Sequence, residues 1–327
     1  MKIIFKNVGQ GDTIIIQWKK LEDNFVGVID CKKHNTNNPL IDYLIKNQVK
    51  KIYFIILSHP HIDHFSGLLE LLDYCQSKDI KIKYFLHSLN IHSSYLNWAN
   101  IDNDSNNLLE KIIVKSVEFY NSQIIYRIGY ISLGFNLPLN NEFNLSALSP
   151  SDDECRLFMK IVDYFKLEIP NKCSQAANLL SSVLKVHTKE SYILLTSDST
   201  KEVFNRFRTR LIEEFKEKLL LCQIPHHGAN NNHDIEFWKS LKKELNCPSV
   251  ISAGNHKKFN HPDYNVVDDY INAGYKIYST NNVNGNINLF SKSSKSRKLD
   301  FVSKVKEKNY LAGDQSFEYI DNKFIKN

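Results

Sequence analysis

Ser58-His59-Pro60-His61-Ile62-Asp63-His64 places four potential metal ligands within six residues, directly after the apolar run at 52–57. That run reads Ile-Tyr-Phe-Ile-Ile-Leu and predicts a buried strand. A His-x-His pair just beyond the end of a strand directs two imidazoles to the same side of the chain. Asp63 and His64 follow at the turn into a predicted helix. Packing alone does not explain this density of ligands, so the stretch indicates a metal site.

The composition is that of a globular protein. The chain has 327 residues, of which 42% are hydrophobic, enough for a core in one large domain or two smaller ones. No window approaches the roughly 20 apolar residues of a membrane span. The apolar run that begins at Ile3 ends before Lys6, too early for a secretory signal. The sequence therefore predicts a cytoplasmic protein without a membrane partner.

Cysteine spacing and net charge narrow the function classes further. The six cysteines are scattered without a Cys-x-x-Cys pair, which excludes a zinc ribbon or a disulfide framework and predicts reduced thiols. The net charge of +6 is compatible with an anionic substrate but does not identify one, since solubilising surface charge gives the same balance.

The order of elements before the histidines is predicted as β-β-β-α-β. Apolar runs at 3–8 and 13–18 form a hairpin around Gly9-Gln10-Gly11-Asp12, and a third run at 25–29 ends at Asp30. A helix is predicted at 39–48 and another at 67–76, and further strands at 181–187, 192–196, 219–224 and 250–252. The segment 77–175 is harder to interpret and is predicted to be a divergent insertion that forms a lid. It contains a predicted helix at 108–121.

Two further apolar runs also end in potential ligands. Tyr192-Ile193-Leu194-Leu195-Thr196 precedes Ser197-Asp198, and Leu221-Cys222-Gln223-Ile224-Pro225 precedes His226-His227-Gly228. Zinc and similar ions bind imidazole nitrogens and carboxylate oxygens, and a hydrolytic site leaves a position free for water. Three strand ends that carry such residues are expected to meet at one edge of a sheet.

These residues resemble the metallo-β-lactamase fold, in particular the hydrolase domain of the ComEC-type competence proteins and its soluble relatives. The resemblance implies an α/β fold, an αββα sandwich of two mixed sheets flanked by helices. It also implies a hydrolase domain at 1–290, followed by a basic connector and a short C-terminal extension at 291–327. The motifs that carry it are Val8-Gly9-Gln10-Gly11-Asp12, Ser58 to His64, Asn178, Leu195-Thr196-Ser197-Asp198, Pro225-His226-His227-Gly228 and Asn260-His261-Pro262.

The resemblance also implies a role for each site residue. His59 and His61 would bind one divalent ion, Asp63 and His64 a second, Asp198 would bridge both, and His226 would complete the second site. The cofactors are then two zinc or manganese ions, or a single tightly held ion. Asp63 would also orient the attacking water. His227 is either a ligand in place of His226 or a group that faces the substrate, and His261 would contact phosphate or protonate a leaving oxygen.

Two positions depart from the pattern of the resemblance. Asn178 stands where many members of the fold supply a third histidine to the first ion, and a neutral amide is a poor zinc ligand. Asp30 is followed by Cys31-Lys32-Lys33 and not by a small residue and glycine, yet it is expected to support the site by hydrogen bonding. Lys257 flanks the site with Lys32 and is predicted to attract a polyanion, against the default of a solvated lysine.

The leading hypothesis is a metal-dependent hydrolase, a phosphodiesterase or nuclease that acts on DNA or RNA through a metal-activated water. One alternative is a hydrolase of a small molecule such as a cyclic nucleotide, a lactone or a thioester, because one fold supports many chemistries. Another is a metal-containing regulatory or binding module with a protein partner. The absence of apolar spans in the sequence counts against DNA transport.

Overall fold

The computed structural model describes residues 1–256, 259–286 and 312–327. Lys257 and the predicted basic connector at 291–308 lie outside these described residues. The strands are β1 (Lys2–Phe5), β2 (Ile14–Lys20), β3 (Asp23–Ile29), β4 (Lys51–Leu57), β5 (Lys81–His87), β6 (Ile125–Tyr130), β7 (Asn136–Pro138), β8 (Asn144–Ser149), β9 (Val183–His187), β10 (Ser191–Leu195), β11 (Lys218–Gln223), β12 (Cys247–Ile251), β13 (Tyr275–Ser279), β14 (Gln315–Ile320) and β15 (Lys323–Lys326).

The helices occupy the segments between the strands. They are α1 (Pro39–Lys46), α2 (Ile62–Phe65), α3 (Leu68–Ser77), α4 (Asn103–Asn121), α5 (Asp152–Phe165), α6 (Pro170–Ala176), α7 (Lys201–Arg208), α8 (Leu211–Glu214), α9 (Ile235–Ser240) and α10 (Tyr264–Asn272). Short 3₁₀ turns lie at Ser93–Trp98, Ala177–Leu180, Pro225–Gly228, Asn230–Asn232 and Asn284–Asn286.

The strands form two sheets. The first has the order β15-β14-β1-β2-β3-β4-β5-β6 and the second the order β13-β12-β11-β10-β9-β8-β7. In the first sheet, β3, β4, β5 and β6 are parallel, and in the second, β10, β11, β12 and β13 are parallel. Both sheets also contain antiparallel pairs, such as β1 with β2 and β9 with β10, so both are mixed as the resemblance implies.

Three apolar clusters show how the layers stack. The inner cluster joins side chains of both sheets, for example Phe54 with Leu195 and Leu220, so the sheets pack face to face. A second cluster packs Ile55 of the first sheet against Leu72 and other helical residues on its outer face, and a third does the same for the second sheet. The result is a four-layer αββα sandwich, and the predicted fold class is confirmed.

The segment 77–175 takes part in both sheets. It supplies β5 and β6 to the first sheet and β7 and β8 to the second, together with α4 and α5. The chain therefore crosses from one sheet to the other within this segment, so the part predicted as an insertion also completes the sandwich. The parts of it that line the site cleft are residues 100–102 and 171–175.

The C-terminal residues add to the first sheet. β14 pairs antiparallel with β1, with Ile3 opposite Phe317, and Phe317 is fully buried in the inner core. All six cysteines are buried and free. Among the described residues, no helix combines the length and apolarity that crossing a bilayer requires.

Candidate metal centre

The carboxyl ends of parallel strands from both sheets meet at one edge of the sandwich. Asp30 follows β3 and the histidine stretch follows β4 in the first sheet, while Asp198 follows β10 and His226 follows β11 in the second. In open α/β sheets, ligand sites lie at the carboxyl ends of strands. The three strand ends that were expected to meet at the edge of one sheet lie together at neighbouring edges of both sheets.

Asp198 is the centre of this convergence, and its side chain is 2% exposed. Its Oδ2 lies 3.7 Å from Nε2 of His59 and 3.4 Å from Nε2 of His226. Its Oδ1 lies 3.4 Å from Nε2 of His64 and 3.5 Å from Nε2 of His227. Each carboxylate oxygen therefore faces two imidazoles. We name as the Oδ2 group His59 and His226 with His61, which lies beside His59, and as the Oδ1 group His64 and His227 with Asp63, which lies beside His227.

The Oδ2 group is held by hydroxyl and carbonyl contacts. Nε2 of His59 lies 3.1 Å from Nδ1 of His61, so both nitrogens point at the same space. Nδ1 of His59 lies 3.1 Å from Oγ of Ser197, and Nε2 of His61 donates to the backbone carbonyl of Ser174 at 2.9 Å. These outer contacts fix which nitrogen of each ring is left to face Asp198.

The Oδ1 group has stronger outer partners. Nδ1 of His64 donates to Oδ2 of Asp30 at 2.7 Å, and Nδ1 of His227 donates to the backbone carbonyl of Ser252 at 2.9 Å. Oδ2 of Asp63 lies 3.4 Å from Nε2 of His227. Asp30 also accepts from the backbone N–H and the hydroxyl of Ser58, at 2.8 and 2.6 Å, so the support role predicted for Asp30 agrees with its contacts.

The donor set fits a divalent cation. Nε2 of His64, Nε2 of His227 and Oδ1 of Asp198 are buried and have no hydrogen-bond partner, although they face one another. A buried polar atom without a partner is costly, and several aimed at one point are accounted for by an ion that binds them all. The ligating atoms of His59, His61 and Asp198 lie within 4.8 Å of one another, and those of Asp12, His64, Asp198 and His227 do so as well.

The pKa shifts describe the same site in electrostatic terms. Burial lowers the pKa of His59 and His61, so both rings are neutral and free to bind a cation. Burial also opposes charge on His227, but Asp198 and Asp63 outweigh it and raise the pKa of His227 to about 9. The neighbouring histidines likewise outweigh burial at Asp198 and hold the pKa of that carboxyl well below its usual range. The Oδ1 side therefore concentrates carboxylate charge that a divalent ion would neutralise.

One protein family and several solved structures are similar to this chain. Residues 12–109 match the family described as Metallo-beta-lactamase superfamily. The αββα sandwich of this chain is the metallo-β-lactamase fold. The match is to the superfamily, and the narrower ComEC-type resemblance stays a prediction. No curated protein matches the sequence.

Several solved structures are similar to this metallo-β-lactamase-fold chain. One is the metallo-beta-lactamase fold protein YhfI from Bacillus subtilis, at 9% identity and a TM-score of 0.47, with 85% of this chain and 96% of that chain covered. Another is Zn²⁺-bound PqqB from Methylobacterium extorquens, at 9% identity and a TM-score of 0.45, with 85% and 98% covered. A third is a long form RNase Z from yeast, at 12% identity and a TM-score of 0.38, with 80% and 38% covered.

The two adjacent histidines lie on different sides of Asp198. His226 was expected beside Asp63 and His64, with His227 as the alternative ligand. Nε2 of His227 lies beside Asp63, while Nε2 of His226 faces Oδ2 of Asp198. The physical reason is the backbone between them: His226 (φ 45°, ψ 51°) and His227 (φ 54°, ψ 21°) are both left-handed. That conformation costs roughly 1–2 kcal/mol per residue and directs the two rings to different sides of Asp198.

The remaining predicted site residues lie around the cleft beside Asp198. The ring of His261 lies 5.6 Å from that of His226, and burial lowers the pKa of His261 to about 4. Asn178 is buried, and its Nδ2 lies 3.4 Å from Nδ1 of His226. Lys32 lines the cleft with its amine on the carbonyl of Val8.

Sequence reasoning missed a buried pair beneath the centre. Oδ2 of Asp12 accepts from Nε2 of Gln223 at 2.7 Å, and Oε1 of Gln223 accepts from the backbone N–H groups of Thr196 and Ser197, both at 3.0 Å. The backbone N–H of Asp12 donates to the carbonyl of Asp63, so this pair ties together the loops that carry the ligands. The sequence motif that contains Asp12 was identified, but no role was predicted for the Asp12 side chain. Nothing in the sequence indicated a role for Gln223.

Gly11 lets the Asp12 turn approach those loops. Its φ is +131°, and a Cβ there would lie 2.2 Å from the backbone oxygen of Asp63. A side chain at this position would push the hairpin away from the ligand stretch. The turn-forming role predicted for Gly11 is therefore also a packing requirement of the site.

Proposed function

We propose that this protein is a metal-dependent hydrolase that cleaves phosphodiester bonds with two divalent ions, one at each oxygen of Asp198. The observation that carries the proposal is the division of the Oδ2 group and the Oδ1 group between the two oxygens of one buried carboxylate. A carboxylate that joins two ligand sets suits a pair of ions about 3.5–4 Å apart, the spacing of two-metal phosphoryl-transfer sites. The superfamily match supports metal-dependent hydrolysis.

The residues would share the work as follows. His59 and His61 with Oδ2 of Asp198 would hold one ion, and Asp63, His64 and His227 with Oδ1 would hold the other. Ions held there supply Lewis acidity and activate water.

The outer residues would position the ligands and the substrate. Asp30 and Ser252 each accept a hydrogen bond from Nδ1 of a ring, so they would direct Nε2 of His64 and of His227 towards a bound ion. The side chain of Asp63 is 28% exposed, so its carboxylate reaches into the cleft, where it can orient the attacking water. His261 borders the same cleft, where it would contact phosphate or protonate the leaving oxygen.

The cleft beside the ligands has the size and polarity of a nucleotide site. Its volume is about 1190 Å³, and its wall is rich in amide side chains, which donate and accept hydrogen bonds. Such groups suit the phosphate, sugar and base edges of a nucleic acid. The cleft amides are Gln10, Asn35, Asn100, Asn171, Gln175, Asn178, Asn231, Asn232, Asn255 and Asn281.

One observation favours a second candidate, a hydrolase of a small phosphodiester such as a cyclic nucleotide. Among the lining residues that the structure describes, Lys32 is the sole lysine or arginine, whereas Asp63, Asp102, Asp198 and Glu202 are acidic. Proteins that follow a nucleic-acid backbone neutralise several phosphates with basic side chains. A substrate with one phosphodiester group requires fewer such contacts.

A turnover assay tests both candidates. Purified protein loaded with Mn²⁺ or Zn²⁺ is given bis(p-nitrophenyl) phosphate, single- and double-stranded DNA, a short RNA and cyclic nucleotides. We expect metal-dependent cleavage of at least one phosphodiester and its loss in His61→Ala. Cleavage of polymers that weakens steeply with salt would support the nuclease, whereas salt-independent cleavage of cyclic nucleotides alone would support the second candidate.

Two results would refute the proposal. One is the absence of phosphodiester cleavage by wild-type protein shown to contain metal. The other is equal cleavage by the wild type and by His61→Ala, which would point to a contaminating enzyme.

A further inference from the structure

We propose that His226 and His227 serve different ions, with His226 as an additional ligand at the first centre and Asn178 as its outer partner. The first centre would then have His59, His61, His226 and Oδ2 of Asp198. This inference rests on the two-metal part of the proposed function and is independent of the substrate.

The distances to Oδ2 carry the first step. Two ligand atoms that each lie about 2.0–2.2 Å from one zinc ion are at most ~4.4 Å apart. Nε2 of His226 lies 3.4 Å and Nε2 of His59 lies 3.7 Å from Oδ2 of Asp198, and the latter nitrogen lies 3.1 Å from Nδ1 of His61. These three separations fall within that bound, and Oδ2 of Asp198 is the atom shared by His226 and by the pair of His59 and His61.

The ring of His226 must turn towards His59 and His61 to complete the set. It stands outside the group of His59, His61 and Asp198 whose ligating atoms lie within 4.8 Å of one another. Its side chain is 23% exposed and borders the cleft, so there is room for the ring to turn towards His59. A bound ion would supply the attraction for that rotation.

Asn178 contacts the other side of the His226 ring, at Nδ1. Its Oδ1 is buried without a hydrogen-bond partner, while its Nδ2 lies 3.4 Å from Nδ1 of His226. The oxygen and nitrogen of a side-chain amide exchange places by a half turn, and which is which is assigned from the network. With the oxygen towards the ring, Asn178 accepts from the Nδ1–H of His226 and leaves Nε2 free to bind the ion.

The competing role for His226 is contact with substrate, and metal binding distinguishes the two roles without any turnover. Co²⁺ is titrated into metal-free protein and followed by visible absorption, and Zn²⁺ content is measured after dialysis. We expect two ions in the wild type, and in His226→Ala at least a 10-fold rise in the Kd of one ion with the other unchanged. His261→Ala is the matched control, because it removes the neighbouring cleft histidine and should keep both ions.

Double variants identify which ion His226 serves. If it shares an ion with His59, His59→Ala/His226→Ala still binds one ion, whereas His64→Ala/His226→Ala binds none with appreciable affinity. The ion retained in the first double variant also shows that the protein is folded. Asn178→His in the His226→Ala background should restore the affinity for the ion at the first centre, because the side chains of residues 178 and 226 are in contact.

The inference is overturned if His226→Ala binds both ions with wild-type Kd, or if His226→Ala and His227→Ala weaken the same ion. A loss of both ions in His226→Ala with a native circular dichroism spectrum would overturn it as well. An absence of phosphodiester cleavage with this binding pattern intact would refute the proposed substrate and leave the metal assignment standing.

Discussion

The two sides of Asp198 carry similar ligands but differ in what supports them. On the Oδ1 side, His64 donates to the buried carboxylate of Asp30 and His227 to the carbonyl of Ser252, which directly follow β3 and β12. On the Oδ2 side, His61 donates to the carbonyl of Ser174 in α6. His226 contacts the side-chain amide of Asn178 in the adjacent 3₁₀ turn.

This difference in outer partners predicts two ion sites of unequal affinity. Hydrogen bonds to a carboxylate raise the basicity of a ligating imidazole more than those to a hydroxyl or an amide. Sheet ends are also held on both sides by neighbouring strands, whereas α6 and the turn after it pack from outside the sheets. We therefore expect the ion at Oδ1 to bind more tightly and the ion at Oδ2 to exchange faster.

Removal of the shared ligand should have the largest effect. Asp198→Asn leaves one neutral oxygen and a nitrogen where two charged oxygens stood, so we expect both ions to weaken. Turnover should fall by more than the roughly 10- to 100-fold that loss of an outer partner causes. Metal content and turnover check this. Retention of either ion at wild-type Kd would show that Asp198 does not join the two sides.

Changes to the outer shell should separate the sides. Asp30→Asn replaces the carboxylate that accepts from His64, and we expect the tighter ion to weaken by about 10- to 100-fold. Ser197→Ala removes the contact to His59 and should weaken the other ion by about 10-fold. Metal titrations of both variants test this. Equal effects of Asp30→Asn on both ions would contradict the separation, since Asp30 reaches His59 only through the hydroxyls of Ser58 and Ser197.

Metal removal should show the same inequality in the unaltered protein. During dialysis against a chelator, we expect loss of metal in two phases, with rates that differ by about 10-fold because outer partners of unequal strength hold the two ions. Metal content sampled over time measures it. His261→Ala should release metal with the same two phases, and a single phase for both ions would contradict the comparison.

Acid unfolding must be distinguished from acid release of metal. His87 ends β5 beside a separate cavity of about 340 Å³, and burial lowers its pKa from 6.5 to about 4. The folded protein therefore binds fewer protons than the unfolded chain between these values, so its stability is complete above pH 6.5 and falls as pH drops towards 4. We expect a loss of about 1 kcal/mol in the free energy of unfolding between pH 7 and 5.5.

The matched variant for this effect is His87→Leu. Urea unfolding of metal-free protein at the two pH values should show that the variant lacks this part of the pH dependence. Metal release at pH 5.5 should be the same in both proteins. An equal pH dependence of stability in the variant would mean that other groups cause it.

The sequence predicted the fold where motifs and strands coincide. The apolar run at 52–57 and the ligands after it gave both a strand and the site, and the structure places β4 at Lys51–Leu57. The segment 77–175 was less predictable, because β7 has only three residues and most side chains of β6 are exposed or half-buried, so neither strand gives a clear apolar pattern. α4 begins at Asn103, five residues before the predicted start, because the side chain of Asp102 caps it by accepting from the N–H of Ser105.

The sequence predicted which side chains come together at Asp198 and not how they divide between its two oxygens. Spacing brought His59, His61 and Asp63 forward, but no spacing shows that His226 and His227 face opposite oxygens, since that depends on two left-handed residues in succession. The supports were hidden as well. Ser197, Ser252 and Gln223 act through a hydroxyl, a backbone carbonyl and an amide, which any sequence contains in abundance.

Because every cysteine is buried, the reactivity of each thiol measures how often the structure around it opens locally. Thiol reagents reach a cysteine only when its surroundings separate, and burial also raises the pKa of the Cys75 thiol to about 12, which suppresses the reactive thiolate. Cys173 precedes Ser174, the residue whose carbonyl holds His61, while Cys222 lies within β11. Alkylation followed by peptide mapping would therefore time the loosening of α6 against that of the second sheet, with no engineered label.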